Sequence, residues 1–198
     1  MKWLFLVLVF VGCSIVAPKG GYEFEKGINT SDITMAKIIN SDDIKEKKIV
    51  LNSDIDARVA KEVSLKLNYL DGRVGEINFY ITTRGGWLSD AFLIVDAINS
   101  IKTPVNVYVK DYCRSAGVIV LLGASGKRVA LKKSSIILHF NRNYNSNNIT
   151  SLKNTKRFEK IYREKTKIPS SWYPLSGNRI IELNPEEAKK LGIVDEII

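Results

Sequence analysis

The chain has 198 residues, 45% of them hydrophobic and 26% charged, with a formal net charge of +9 at neutral pH. That composition excludes a disordered or fibrous chain and suits one compact domain, large enough to bury most of its apolar surface on folding. Only Cys13 and Cys113 are present, so no disulfide framework carries the fold and the core must do so.

Met1 and Lys2 precede an apolar block from Trp3 to Gly12, which Cys13 and Ser14 close. A cation, a short apolar run and a small residue at the break read as an export signal, and the run is short for a membrane-spanning helix. Phe10-Val11-Gly12-Cys13 resembles the lipobox of bacterial lipoproteins, in which the cysteine is lipidated. Phe10 departs from the leucine usual there, and simple cleaved secretion or an uncleaved anchor is the alternative. Residues 1–16 are therefore expected to be a signal and lipobox region. Residues 17–47 are polar, glycine-containing and weakly periodic, and they read as a tether between membrane and domain. A short strand or helix over Ile33 to Ile39 is compatible with that reading.

The domain proper, residues 48–198, opens on Lys48-Ile49-Val50-Leu51-Asn52, an apolar run suited to a buried strand. Ser53 or Asp54 can cap the helix that follows, in which Ile55, Val59, Val63, Leu67 and Leu70 recur at helical spacing. Ile77 to Thr82 is a second strand, ended by Arg84-Gly85-Gly86. Leu88, Phe92, Val95, Ile98 and Ile101 form another helical stripe, closed by Lys102-Thr103-Pro104. Val105 to Val109 is a strand, Ala116 to Ala124 a helix, and Arg128 to Leu131 and Ile136 to Leu138 are strands again. Near the C-terminus Asn184 caps a helix with Pro185 at its first position and Glu187 three residues after the cap, and Gly192 ends it. Strands alternating with helices imply parallel pairing and an α/β fold.

Several separated segments, taken in order, resemble the Clp protease proteolytic subunit. They are Lys48-Ile49-Val50-Leu51 with Ile55-Asp56 and Val59-Ala60, then Ile81-Thr82-Thr83-Arg84-Gly85-Gly86, Ser115-Ala116-Gly117, Gly126-Lys127-Arg128-Val129-Ala130 with His139, and Pro185 to Asp195. The resemblance covers residues 48–198 and implies a Clp protease and crotonase-like repeated βαβ spiral. It also implies a serine hydrolase, most simply a peptidase, with Ser115 as nucleophile, His139 as base and the backbone N–H groups of Gly86 and Ala116 as oxyanion hole. The chemistry favours the same residues. Ser115 sits where a strand turns into an apolar helix, and helix-start N–H groups favour developing negative charge. A side chain at the glycine loop would block a substrate carbonyl. His139, the only histidine, ends the run Ile136-Ile137-Leu138, a placement suited to a positioned base. Arg84 and Trp87 stand where the family has a proline and a small residue, which reshapes the approach to the site.

The third member departs from the pattern, because the family's aspartate position falls on Ile180. Asn178 and Glu182 flank it, and Asn178 is preferred since strand alternation puts it on the same face as Ile180. Loss of an orienting acid costs orders of magnitude in turnover, so a catalytically impaired binding or assembly module is the alternative. Ser115-Ala116-Gly117 also resembles signal peptide peptidase A, whose serine–lysine dyad would draw on Lys153 or Lys156 here. An acyl-CoA enzyme of the crotonase type is a third reading, disfavoured by export. Cys113 reads as a packed side chain near the site.

Thr150 to Lys167 carries seven cations against Glu159 and Glu164. It reads as a helix with a solvated basic face, its buried side supplied by residues such as Phe158, Ile161 and Tyr162. By position it is the family's handle, shortened here, so that a barrel of two rings is doubtful although a homo-oligomer is expected. The expected partners are a peptide or protein substrate and a membrane reached through lipidated Cys13. Export leaves nucleic acid out, and no metal or cofactor is expected.

Overall fold

The computed structural model describes residues 38, 40–140, 149–172 and 179–198. Its centre is a parallel sheet in which β1 (Lys48–Asn52), β2 (Ile77–Thr83) and β3 (Val105–Arg114) lie side by side. The register stacks Ile49 beside Phe79 and Phe79 beside Val107, with Leu51, Ile81 and Val109 one step along. All six side chains are buried, and each contributes about 1.5–3 kcal/mol of burial. The apolar pairs share a face because pairing and pleat period coincide.

Helices cover that face. α1 (Asp42–Lys45) precedes β1, and α2 (Ala57–Leu70) buries Val59, Val63, Leu67 and Leu70, the stripe expected from the spacing. Its cap is Asp56, whose carboxylate accepts from the Val59 N–H at 2.7 Å, in place of the Ser53 or Asp54 expected. The physical reason is that Ile55 is held extended in a parallel bridge with Gly86, so the helix cannot begin before it. α3 (Leu88–Ser100) follows, and then β3 runs on to Arg114, five residues past the expected end, because exposed Lys110, Asp111 and Tyr112 interrupt the apolar pattern without interrupting the strand.

β3 divides the sheet. Val107 to Val109 pair with β4 (Arg128–Ala130), whereas Tyr112 to Arg114 pair with β5 (Ser135–Phe140). β6 (Arg179–Leu183) lies antiparallel to β5, and β7 (Glu196–Ile197) closes the other branch beside β4. α4 (Ala116–Leu122), packed against β3 and α3, is buried at all seven positions, as a helix apolar on every side must be. α5 (Ile149–Lys165) packs through Tyr162, whose ring meets Phe158 and Phe140 at centroid distances of 4.6 and 5.6 Å, and an Arg157–Asp96 ion pair ties it to α3. Its outward side carries Lys153, Lys156, Lys160 and Arg163, with Lys167 just beyond its end, all exposed. α6 (Pro185–Lys190) has the full capping box of Asn184 and Glu187, and Gly192 at φ +68° turns the chain after it.

Ile38 and Ile44, in the segment expected to be a tether, are both buried in the core. Lys66 on α2, itself buried, donates to Asp43 at 2.6 Å and pairs with Glu62 at 2.8 Å. Packing among the described residues thus begins ten residues before Lys48. The expected signal region and Cys13 lie outside the described residues.

Candidate active site

The site forms where β2 and β3 end and α4 begins. Ser115 links β3 to α4 with φ +53° and ψ −122°, a conformation that costs a non-glycine residue of order 1–3 kcal/mol and persists only where surroundings impose it. Three constraints do so: the Ser115 N–H donates to the Ile137 carbonyl at 2.9 Å, its own carbonyl accepts from Val118 N–H at 3.0 Å, and α4 is fixed in the core. The sharp turn lifts the hydroxyl off the strand.

Against this turn lies the glycine loop after β2. A Cβ on Gly85 would sit 2.7 Å from the Arg114 carbonyl and 2.8 Å from Ser115 Cβ, and Gly85 has φ +98°. Gly86, at φ +149°, bridges Ile55, and a methyl group there would overlap the Ile55 carbonyl. In that bridge the Ile55 N–H donates to Gly85 and the Trp87 N–H to Ile55, leaving the Gly86 N–H outside the pairing. The Ala116 N–H, first in α4, has no intrahelical acceptor. Buried Thr83 steadies the loop, its hydroxyl accepting from the Gly85 N–H at 3.1 Å.

His139 reaches the serine from β5. Its Nδ1 lies 3.4 Å from Ser115 Oγ, long for a hydrogen bond but within the range that catalytic pairs show before substrate binds. Burial, and then the nearby Arg114 guanidinium, hold the imidazole below its ordinary value of 6.5, which favours the neutral, proton-accepting ring. For Nδ1 to accept, the ring proton sits on Nε2.

Across the strand pair His139 stands in register with Ile180, 55% exposed, and Ile137 with Glu182. The side chain facing the imidazole is therefore an aliphatic one. Glu182 is exposed and, among the described residues, makes no hydrogen bond to His139. Asn178 lies outside the described residues. Lys153 and Lys156 point to solvent on α5, with no hydrogen bond to Ser115. Cys113 is completely buried, and burial pushes its thiol far up, so it packs behind the site as an un-ionised side chain.

One feature escaped the sequence reading. Arg114 is half-buried one residue before the serine and faces the His139 imidazole, and only its strand pairing with Ile137 reveals this. Arg84 is held by Asp54 through hydrogen bonds of 2.7 and 3.0 Å at the rim of a cavity of about 380 Å3 that Thr82, Thr83 and Tyr112 also line. Trp87, 60% exposed, flanks the glycine loop. Among the described residues no cluster of histidine, cysteine and carboxylate side chains fits a metal ion.

Comparison with known proteins places the sequence as a whole in a family and a fold. The chain is 29% identical over 157 residues to the ATP-dependent Clp protease proteolytic subunit of Deinococcus radiodurans, covering 73% of this chain and 76% of that one. It is 29% identical over 150 residues to ATP-dependent Clp protease proteolytic subunit 1 of Rhodopirellula baltica, covering 70% and 66%. A point mutant of ClpP1 from Listeria monocytogenes superposes with a TM-score of 0.68 at 25% identity, over 78% of this chain and 92% of that one. The α/β architecture with its branched sheet is the Clp protease and crotonase-like fold. Residues 34–198 match the Clp protease family, and the chain belongs to it.

Proposed function

We propose that this protein is an exported serine peptidase in which Ser115 attacks the scissile carbonyl, His139 takes its proton, and the Gly86 and Ala116 N–H groups hold the resulting oxyanion. The observation that carries this is the strained Ser115 at 3.4 Å from the sole histidine, beside two backbone N–H groups that secondary structure leaves unused. His139 can receive the hydroxyl proton only while neutral, the form that its surroundings favour. Asn178 is proposed to orient the ring from the segment preceding β6. An amide accepts a hydrogen bond without stabilising imidazolium by charge, so turnover is expected to be slow.

The substrate is a peptide or protein, and the working form a homo-oligomer, in keeping with family membership. The N-terminal apolar block and Cys13 are proposed to export the chain and fix it to a membrane by a lipid. The exposed cations of α5 would then face anionic headgroups. The same like-charged row opposes packing α5 against a second copy of itself.

The test is labelling of the full chain by a fluorophosphonate probe. Labelling that disappears in Ser115→Ala and falls steeply in His139→Ala is the expected result. A folded protein that takes no label would end the hydrolase reading and favour the second one, a binding or assembly module. That second reading rests on Ile180 opposite His139.

A further inference from the structure

The charge around the nucleophile is unusual for a site built on a base. Arg114 is half-buried and faces His139, yet among the described residues its guanidinium has no hydrogen-bond acceptor and no ion-pair partner. The other partly covered arginines among the described residues are paired: Arg157 with Asp96, and Arg128 with Asp195 at 2.5 Å. Nor do the sequence segments next to His139 and β6 offer a partner, since 141–148 (Asn-Arg-Asn-Tyr-Asn-Ser-Asn-Asn) and 173–178 (Tyr-Pro-Leu-Ser-Gly-Asn) contain no carboxylate. Glu182 stands one strand further away, across Ile137.

A guanidinium taken partly out of water without a counter-charge is costly, and a planar fork is built to receive a carboxylate through two parallel hydrogen bonds. The position also matters. Arg114 adjoins Ser115 in sequence and lies in register with Ile137, two residues before His139 on β5. A group held by it therefore lies within a residue or so of the bond under attack.

We propose that Arg114 anchors a carboxylate of the substrate, so that the enzyme prefers peptides with an acidic side chain or a free C-terminus beside the scissile bond. The inference rests on the peptidase reading above and adds its substrate class. Bound substrate would supply the missing counter-charge, which lowers the cost of imidazolium as well. Substrate would thus partly replace the orienting acid absent at Ile180.

The test compares matched fluorogenic peptides bearing Asp, Ala or Lys next to the scissile bond, the Ala peptide with a free or an amidated C-terminus. Full-length protein is assayed beside Arg114→Gln and Arg114→Glu, whose folding is verified by thermal unfolding. The expected preference in kcat/KM for the carboxylate peptide over its neutral match is about 10- to 100-fold, the strength of a hydrogen bond to a charged group. It should fall to near one in Arg114→Gln and turn toward Lys in Arg114→Glu. A gain with Asp identifies a side-chain carboxylate, and a gain with the free acid over the amide identifies a terminus. Equal ratios in wild type and Arg114→Gln overturn the proposal, while cleavage itself leaves the peptidase reading standing. Where no peptide is cleaved, fluorescence anisotropy of the same peptides decides: carboxylate preference lost in Arg114→Gln supports the anchor, and equal affinities overturn it.

Discussion

Replacing Ile180 by Asp places a carboxylate opposite the only histidine of the chain. In an antiparallel pair the facing Cβ atoms lie about 4.5–5.5 Å apart, so an aspartate oxygen can approach the ring to about 4 Å. At that separation opposite charges attract by about 4 kcal/mol near a protein surface and about 1 kcal/mol in bulk water. Ile180 is 55% exposed, which puts the pair nearer the second figure, about 1 kcal/mol. Imidazolium should therefore form at a proton concentration about fivefold lower than in wild type. The exposed position makes the stability cost of losing the isoleucine small. Because His139 is the sole histidine, its imidazole proton resonances follow the titration by NMR without assignment, and fluorophosphonate labelling gives the rate. The labelling rate should rise about tenfold or more, a partial recovery of the roughly 10⁴ that a missing orienting acid costs. An unchanged titration and an unchanged rate would mean that side chain 180 does not face the ring, and the β5–β6 register would no longer account for the site.

Neighbouring contacts give three further outcomes. Ser115→Gly should be about 1 kcal/mol more stable to urea than Ser115→Ala, since both lack the hydroxyl but only glycine relaxes at φ +53°; equal midpoints would deny the strain. Asp43→Asn removes one of two anions from buried Lys66, and the remaining Glu62 should limit the loss to about 1–3 kcal/mol in denaturant unfolding; no loss would mean that the segment before β1 is not held there. Burial and Arg114 lower His139 below 6.5, so the native ring stays neutral where the unfolded one is protonated. The contribution of this group to stability is full above 6.5 and declines as pH falls through the window beneath it. Arg114→Gln removes one cause of the lowering, so the acid limb of labelling should move to higher pH; movement to lower pH would contradict the sign. Of the charged groups on the strands flanking the ring, Arg114 on β3 and Glu182 on β6 are the two in register with Ile137, two residues before it.

Much of the fold was legible because burial writes a periodicity. Val59, Val63 and Leu67 mark one face of α2, the apolar pairs of β1 and β2 mark the sheet, and the Asn184 capping box marks α6 from four adjacent residues. These are short-range effects, carried by residues near one another in the chain. The sequence also singled out Ser115, His139 and the glycine loop, through spacing and family likeness. Tertiary structure alone decided the rest. The start of α2 moved to Asp56 because Ile55 is held by Gly86, thirty-one residues away. β3 continued through polar Lys110 and Asp111 because two different strands pair with its two ends. Arg114 came to face His139, and Ile180 to oppose it, through strand pairing. Local propensity sets where a helix or strand is favoured, whereas the charge beside His139 is set by neighbours that only folding brings together.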